Sequence, residues 1–425
     1  MKVSLNEEQE GAVNALLSFY DSDRSFYVVE GSAGVGKTTT VQEFVDRVGG
    51  HNVVLTAPTN KATRVLREKN QEQEGEVAHC QTIHSLLGLV LKSDSRIQRV
   101  EPVKEADVGR FKVVVVDEGS MVGEELFGYI SEASLETGTK FVFMGDTLQL
   151  PPVKEEPSRI FSVPEKSVLR KVERHDNQIL KLALHLRDCV EQGKAPTLHT
   201  DRDEEGGVFC VDSRVFAKQL IKGFSSERYL ARPELMKCLA WTNEVVKGYN
   251  EMIRDHLYPG HTEDFEVGER VTAAKPICDV FDPDAITVPT DEEGVIVSME
   301  ITQNPIFNEF KCYKLVIETE SYGVATGYVI HPDDLKAYQK KAKQLVDNAK
   351  SKKGTWNAWH QFTKSFFHDI RPCYALTTHK SQGSTYETVF VDALNILRNP
   401  DRVEGLKCLY VACSRASKNL IIRTR

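Results

Sequence analysis

The segment FYVVEGSAGVGKTTTVQEFVDRV (26–48) sets a glycine-rich loop between an apolar strand-like run and a helix-spaced one. Gly31 through Thr38 fits GxxxxGK[ST], with the flanks that pattern needs: a strand before and a helix after. Glycines let backbone N–H groups turn inward around an anion, and the positive end of the next helix stands behind them. Gly31, Ser32, Ala33, Gly34, Val35, Gly36, Lys37, Thr38 and Thr39 are therefore the candidate nucleotide cradle. Lys37 is expected to reach the β- and γ-phosphates of ATP, and the Thr38 hydroxyl to ligate Mg²⁺.

NVVLTAP (52–58), KVVVVDEGS (112–120) and KFVFMGD (140–146) are further apolar, β-branched runs separated by helix-patterned segments. Runs this continuously apolar indicate a parallel sheet covered on both faces. A second α/β pattern begins near 166, with strands expected at 237–242, 373–379, 388–394 and 408–414. Two insertions interrupt these lobes. LGLVLKSDSRIQRVEPV (87–103) reads as a β-hairpin around Ser93-Asp94-Ser95, and short strand-like runs between 265 and 332 suggest a small β-barrel followed by a helical arm. The expected division is a first lobe at 1–86 and 112–165, a hairpin insertion at 87–111, a second lobe at 166–264 and 369–425, and the barrel with its arm at 265–368.

Composition narrows the class without deciding it. The 425 residues are 40% apolar and 27% charged, an ordinary globular balance. None of the nine cysteines forms a CxxC pair, which suits small apolar fillers in a reducing compartment. The N-terminus is polar and no apolar run nears the ~18 residues of a membrane helix, so a cytoplasmic protein without a membrane partner is expected. The net charge of −8 argues against nucleic acid, yet it averages over lobes and permits a locally positive groove.

A P-loop alone fits a kinase, a switch or a motor. Asp117, at the end of a buried strand, suits the surroundings of Mg²⁺, and Glu118 offers a carboxylate base for an attacking water. Away from a P-loop the same pair would read as a solvated acidic strand end. Gln149, in FMGDTLQLPPV (143–153), could sense the γ-phosphate or its water, or belong to a plain polar loop.

With these residues in order, the chain resembles the superfamily 1 helicases, in their B-type, RecD-like branch. LNEEQEGAV (5–13) resembles the adenine-reading segment, which makes Gln9 the base contact. TAPTNKATRVL (56–66) and TIHSLLG (82–88) resemble the first lobe's DNA-contacting motifs. LAWTNEVVKGYN (239–250) and THKSQGST (378–385) resemble their second-lobe counterparts, and LYVACSRAS (409–417) the last motif. The resemblance implies two RecA-like lobes with ATP between them, a pin at the hairpin, and a barrel resembling the Src-homology-3 fold. It also implies that Arg415 reaches the γ-phosphate from the second lobe, where such a guanidinium is worth ~10³–10⁵ in rate. Arg174, in KVERHDNQIL, becomes a second cleft arginine, and Gly383 a nucleotide contact. Two departures stand out: Gly119 follows Asp-Glu where another small residue is common, and Cys413 stands where threonine is expected.

Pro58, Thr59, Asn60, Thr82, His84, Asn243, His379 and Ser381 are small polar or loop residues after strands, placed to hold phosphates and sugars along a single strand without reading sequence. The alternative for several of them is ordinary turn capping. The 333–368 arm interleaves lysines with Tyr338, Trp356, Trp359, Phe362, Phe366 and Phe367. That pattern suits backbone attraction with base stacking, or equally a solvated helix whose aromatics dock on the second lobe. Arg96, Arg99 and Val100 are the candidate pin contacts.

The function expected is an ATP- and Mg²⁺-dependent DNA helicase, moving 5′ to 3′ on single-stranded DNA and opening forked duplex. The polarity and a monomeric, phage-like layout come from the resemblance alone. Single-strand-binding or replication proteins are candidate partners, with roles in replication or recombination. The competing readings are a P-loop switch or phosphotransferase without motor activity, and a single-strand-binding remodeller.

Overall fold

The computed structural model describes residues 5–72, 75–94, 97–102, 106–152, 157–171, 177–283 and 285–425. The chain forms two compact units: Met1–Val90, Val100–Lys247 and Leu376–Arg425 in one, Leu91–Arg99 and Gly248–Ala375 in the other.

The first unit carries two six-stranded sheets. One is parallel throughout, ordered His79–Thr82, Val53–Ala57, Val113–Val116, Lys140–Gly145, Phe26–Gly31, Lys166–Leu169. Its four central strands are buried on both faces, as their apolar sequences require, while the edge strands His79–Thr82 and Lys166–Leu169 are partly exposed. Val113 and Val115 enter one core with Leu16, Phe44 and Leu55, while Val114 and Val116 enter the opposite core with Ile130 and Phe141. Lys166–Leu169 pairs with Phe26–Gly31, so the sheet of the first lobe extends past the expected boundary at 166.

The second sheet runs Ala375–Thr377, Met236–Ala240, Tyr386–Asp392, Ala416–Arg423, Gly207–Val211, with Asp201–Arg202 antiparallel at the edge. The strand expected at 408–414 is instead part of the helix Arg402–Cys413, and the strand follows at Ala416–Arg423. A short apolar run cannot be told from a buried helix by periodicity. The deciding residue is Asp401, whose carboxylate accepts the N–H groups of Val403 (2.9 Å) and Glu404 (3.0 Å) and caps the helix. Eight of the residues from Gly405 to Cys413 are buried, so the helix lies inside the second lobe's core.

In the second unit, five antiparallel strands, Gly323–Ile330, Lys311–Thr319, Glu293–Gln303, Arg270–Ala273 and Ile370–Pro372, form one sheet. The hairpin strands Leu89–Asp94 and Ile97–Pro102 form a two-stranded sheet of their own. Arg96 and the side chains of Arg99 and Val100 lie outside the described residues. The arm helix Leu335–Lys350 turns Tyr338, Ala342 and Leu345 inward against Phe310, Phe362 and Phe367. Tyr338, Phe362, Phe366 and Phe367 therefore build a core rather than a base-stacking face. Among the described residues, no helix is long and apolar enough to cross a membrane.

Candidate active site

The glycine loop leaves Phe26–Gly31 and enters the helix Lys37–Val48. Gly34 and Gly36 hold φ of 86° and 83°, a left-handed backbone that favours glycine. Lys37 folds back over the loop, its Nζ donating to the carbonyls of Gly31 (2.6 Å) and Ser32 (3.0 Å). Burial pushes its ammonium below the usual lysine range, and Asp146, Asp117 and Glu118 oppose that shift.

Asp117 and Glu118 follow the strand Val113–Val116. Glu118 has φ 52°, a positive value rare for a non-glycine residue, and its N–H donates to Asp117 Oδ1 at 2.8 Å. Burial raises the Glu118 carboxyl above its ordinary range and Asp117 adds to this, while Arg415 and Lys37 pull it down. A half-buried carboxylate beside two cations suits a base that must be ionised yet responsive. The glycine at 119 has a local cause. A Cβ there would meet Ile160 Cδ1 at 2.4 Å and the Met144 carbonyl at 3.0 Å.

A cavity of about 450 Å³ brings these groups together. Lys37, Thr38, Asp117, Glu118 and Gln149 line it from the first lobe, and Gly383 and Arg415 from the second. Gly383 has φ 73° and a Cβ there would stand 2.8 Å from Ala62 Cβ, so the two lobes approach closely at this rim. Arg415 is only 6% exposed; its Nε donates to Val411 O and its Nη1 to Ser384 O, which aims the guanidinium along the cavity wall. Ala62, Val65 and Lys69 of the helix Asn60–Glu72, with Thr385 and Ser414, complete the lining and were not foreseen. Ala62, Val65, Thr385 and Ser414 lie inside the motifs quoted above but were not singled out, and Lys69 lies outside every motif, so the tertiary fold alone brings it here.

Other expectations fare unevenly. Arg174 lies outside the described residues. Gln9 does not line this cavity: it is buried, accepts the Asn6 N–H in a capping box and donates from Nε2 to the Val35 carbonyl at 3.2 Å. Cys413 is a fully buried core residue, and burial pushes its thiol far above the reactive range.

Among the candidate strand contacts, Asn60 and Asn243 begin helices, and Asn243 is exposed. Thr59 and Thr82 spend their hydroxyls capping helices, accepting from Ala62 N and Ser85 N. His84 is half-buried beside the Pro58 carbonyl, which joins two of the expected motifs in space; burial lowers its pKa. His379 lies 3.8 Å from Glu404 and is likewise held toward the neutral form by burial. Ser381 is fully buried and its hydroxyl donates to Thr378 O at 2.7 Å, which shapes the turn.

A family model for an AAA domain matches residues 4–208, and one for a UvrD-like helicase C-terminal domain matches residues 372–422. The chain is 25% identical to an uncharacterised protein of Acanthamoeba polyphaga mimivirus, over 98% of this chain and 99% of that one. It is 22% identical to the ATP-dependent DNA helicase Dda of Enterobacteria phage T4, over 91% and 92% of the two chains. The RecD2 helicase of Deinococcus radiodurans shares 34% identity over 35% of this chain. In both family matches and in these relatives the chain is similar to the B-type branch of the superfamily 1 helicases. Its fold agrees with that of the Pif1 helicase from Bacteroides, with a TM-score of 0.54 at 15% identity over 99% of this chain and 93% of that one. In this chain, then, one cavity joins the P-loop of the first sheet to the Arg415 that precedes the strand Ala416–Arg423 of the second.

Proposed function

We propose that this protein hydrolyses ATP in the cavity between its two sheets and uses the associated lobe motion to move 5′ to 3′ along single-stranded DNA, opening forked duplex ahead of it. The observation that carries this reading is the shared wall: Lys37 and Glu118 from one lobe and Arg415 from the other line the same cavity. Lys37 would neutralise the β- and γ-phosphates, and Glu118 would take the proton of the attacking water. Arg415 would meet the negative charge that spreads over the transferring phosphoryl oxygens. The Thr38 hydroxyl and Asp117 carboxylate are hard oxygen donors on one wall, a set that fits Mg²⁺ and would hold it, and a bound Mg²⁺ would offset the charge of the phosphates. Gln149 would read the γ-phosphate from the turn after Lys140–Gly145.

On the DNA side, Pro58, Thr59, Asn60, Thr82, His84, Asn243 and His379 would contact the sugar–phosphate track. Gln9 would reach the adenine after leaving the Val35 carbonyl, and Arg174 would act as a second cleft cation. The viral and phage relatives support a role in a host cytoplasm, on single-stranded and forked DNA as a single chain. Lys37→Ala should abolish ATP hydrolysis while single-strand binding persists, and the parent should unwind 5′-tailed but not 3′-tailed forks. ATP turnover indifferent to single-stranded DNA would instead favour a nucleotide switch.

A further inference from the structure

Asp146 follows the strand Lys140–Gly145 of the first lobe and is completely buried. Both oxygens of its carboxylate are engaged. Oδ1 accepts from Arg187 Nη1 at 2.8 Å and from the Leu148 N–H at 3.1 Å, while Oδ2 accepts from the Tyr410 hydroxyl at 2.6 Å. Arg187 stands on the helix Gln178–Gln192 and Tyr410 on the helix Arg402–Cys413, both packed in the second lobe's core through Leu182, Leu186 and Leu409. One carboxylate of the nucleotide lobe is thus held by two helices of the other.

Both ends of this contact lead to the cavity. The Asp146 carbonyl accepts the Gln149 N–H at 3.0 Å, and its carboxylate fixes Leu148, so Asp146 shapes the turn that presents Gln149. Tyr410 lies on the helix whose C-terminal end leads directly to Arg415, and Arg415 Nε bonds back to Val411 of that helix. Asp146 is also foremost among the carboxylates opposing the burial of Lys37.

We propose that Asp146, Arg187 and Tyr410 form an inter-lobe latch in which Arg187 and Tyr410 are positioning residues, holding the Gln149 turn and the Arg415 helix end in register for hydrolysis. The latch rests on the hydrolysis reading above. A buried ion pair is a poor source of stability, because desolvation offsets most of its attraction, but a good source of a defined geometry. Its short, charge-assisted bonds have little tolerance for displacement. Breaking them would let the two lobes shift without dissolving either core.

Tyr410→Phe removes the donor and keeps the ring. In single-turnover hydrolysis with enzyme in excess, it should slow the chemical step about tenfold, the loss expected for one hydrogen bond to a charged group, while KM for ATP stays near the parent value. Amide hydrogen exchange should rise at Leu148 and Gln149 and across 411–415. Asp146→Asn combined with Tyr410→Phe should be no slower than Asp146→Asn alone. Arg187→Lys should keep more of the rate than Arg187→Ala. A Tyr410→Phe protein with the parental rate, or with unchanged exchange at Leu148 and Gln149, overturns the latch. If Lys37→Ala hydrolyses ATP normally, the hydrolysis reading has failed separately, and the exchange result alone then decides whether the latch exists.

Discussion

Arg415 and Glu118 carry most of the chemistry argued at the scale of single residues. Arg415 is held by two backbone carbonyls at the cavity wall, so it needs no large rearrangement of its own to meet a phosphoryl group. Arg415→Ala should lower kcat by about 10³ or more with a smaller effect on ATP affinity. Arg415→Lys should recover little, since an ammonium cannot reproduce the planar fork. Glu118→Gln should retain ATP binding and lose about 10²–10⁴ in hydrolysis. Because burial raises the Glu118 carboxyl, the acid limb of the pH–rate profile should begin above the range of a free glutamate. A limb that matches free glutamate would argue that another group takes the proton. The Gly31–Thr38 loop and the Asp117-Glu118 pair were legible in the sequence because their chemistry is local: a backbone shape, then a strand end. Ser381 and Gln9 are the opposite case. Their motifs are right, but the hydroxyl and the amide are already engaged by Thr378 and Val35, which no sequence pattern records.

At the scale of elements, the helix Arg402–Cys413 is the sharpest lesson. LYVACS is apolar enough for a strand, yet Asp401 caps the helix that runs into it and the core is deep enough to bury the helix from Cys408 to Cys413. The arm helix shows the reverse. Its two faces follow a helical period, with Tyr338, Ala342 and Leu345 packed inward and Lys336, Lys340, Lys343 and Lys350 exposed on the opposite side. Those four lysines make no described ion pair with a carboxylate, unlike Lys311 and Lys314 nearby. Replacing Lys336, Lys340 and Lys343 with alanine should flatten the salt dependence of single-strand affinity, by about 0.7 in the log–log slope for each phosphate no longer neutralised. An unchanged slope would assign the stripe to solubility alone.

His368 gives the sheet of the second unit a pH response. Its Nδ1 accepts the Tyr328 N–H at 2.9 Å, its Nε2 lies 3.1 Å from Cys278 O, and burial pulls its pKa down to about 4. The fold holds the neutral ring, so its contribution is complete above pH 6.5 and is lost as pH falls toward 4, on the order of 3 kcal/mol in total. Thermal melts of the parent should lose stability across that window, and His368→Gln should flatten the loss.

In the molecule as a whole, chemistry and motion are joined. The P-loop and the Arg415 helix belong to different sheets, yet line one cavity, so occupancy of that cavity and the spacing of the lobes cannot vary independently. The division into two lobes with insertions was readable from the alternation of strand and helix patterns. The closeness of Gly383 to Ala62, and the seating of Tyr410 on Asp146, were not, because they are set by how finished lobes meet. The most direct test is trapping with ADP and aluminium fluoride, which mimics the transferring phosphoryl group. The parent should form a long-lived inhibited complex with single-stranded DNA present, and Arg415→Ala should bind ADP but escape the trap. An Arg415→Ala protein trapped as firmly as the parent would contradict the claim that the second lobe's guanidinium meets the phosphoryl group.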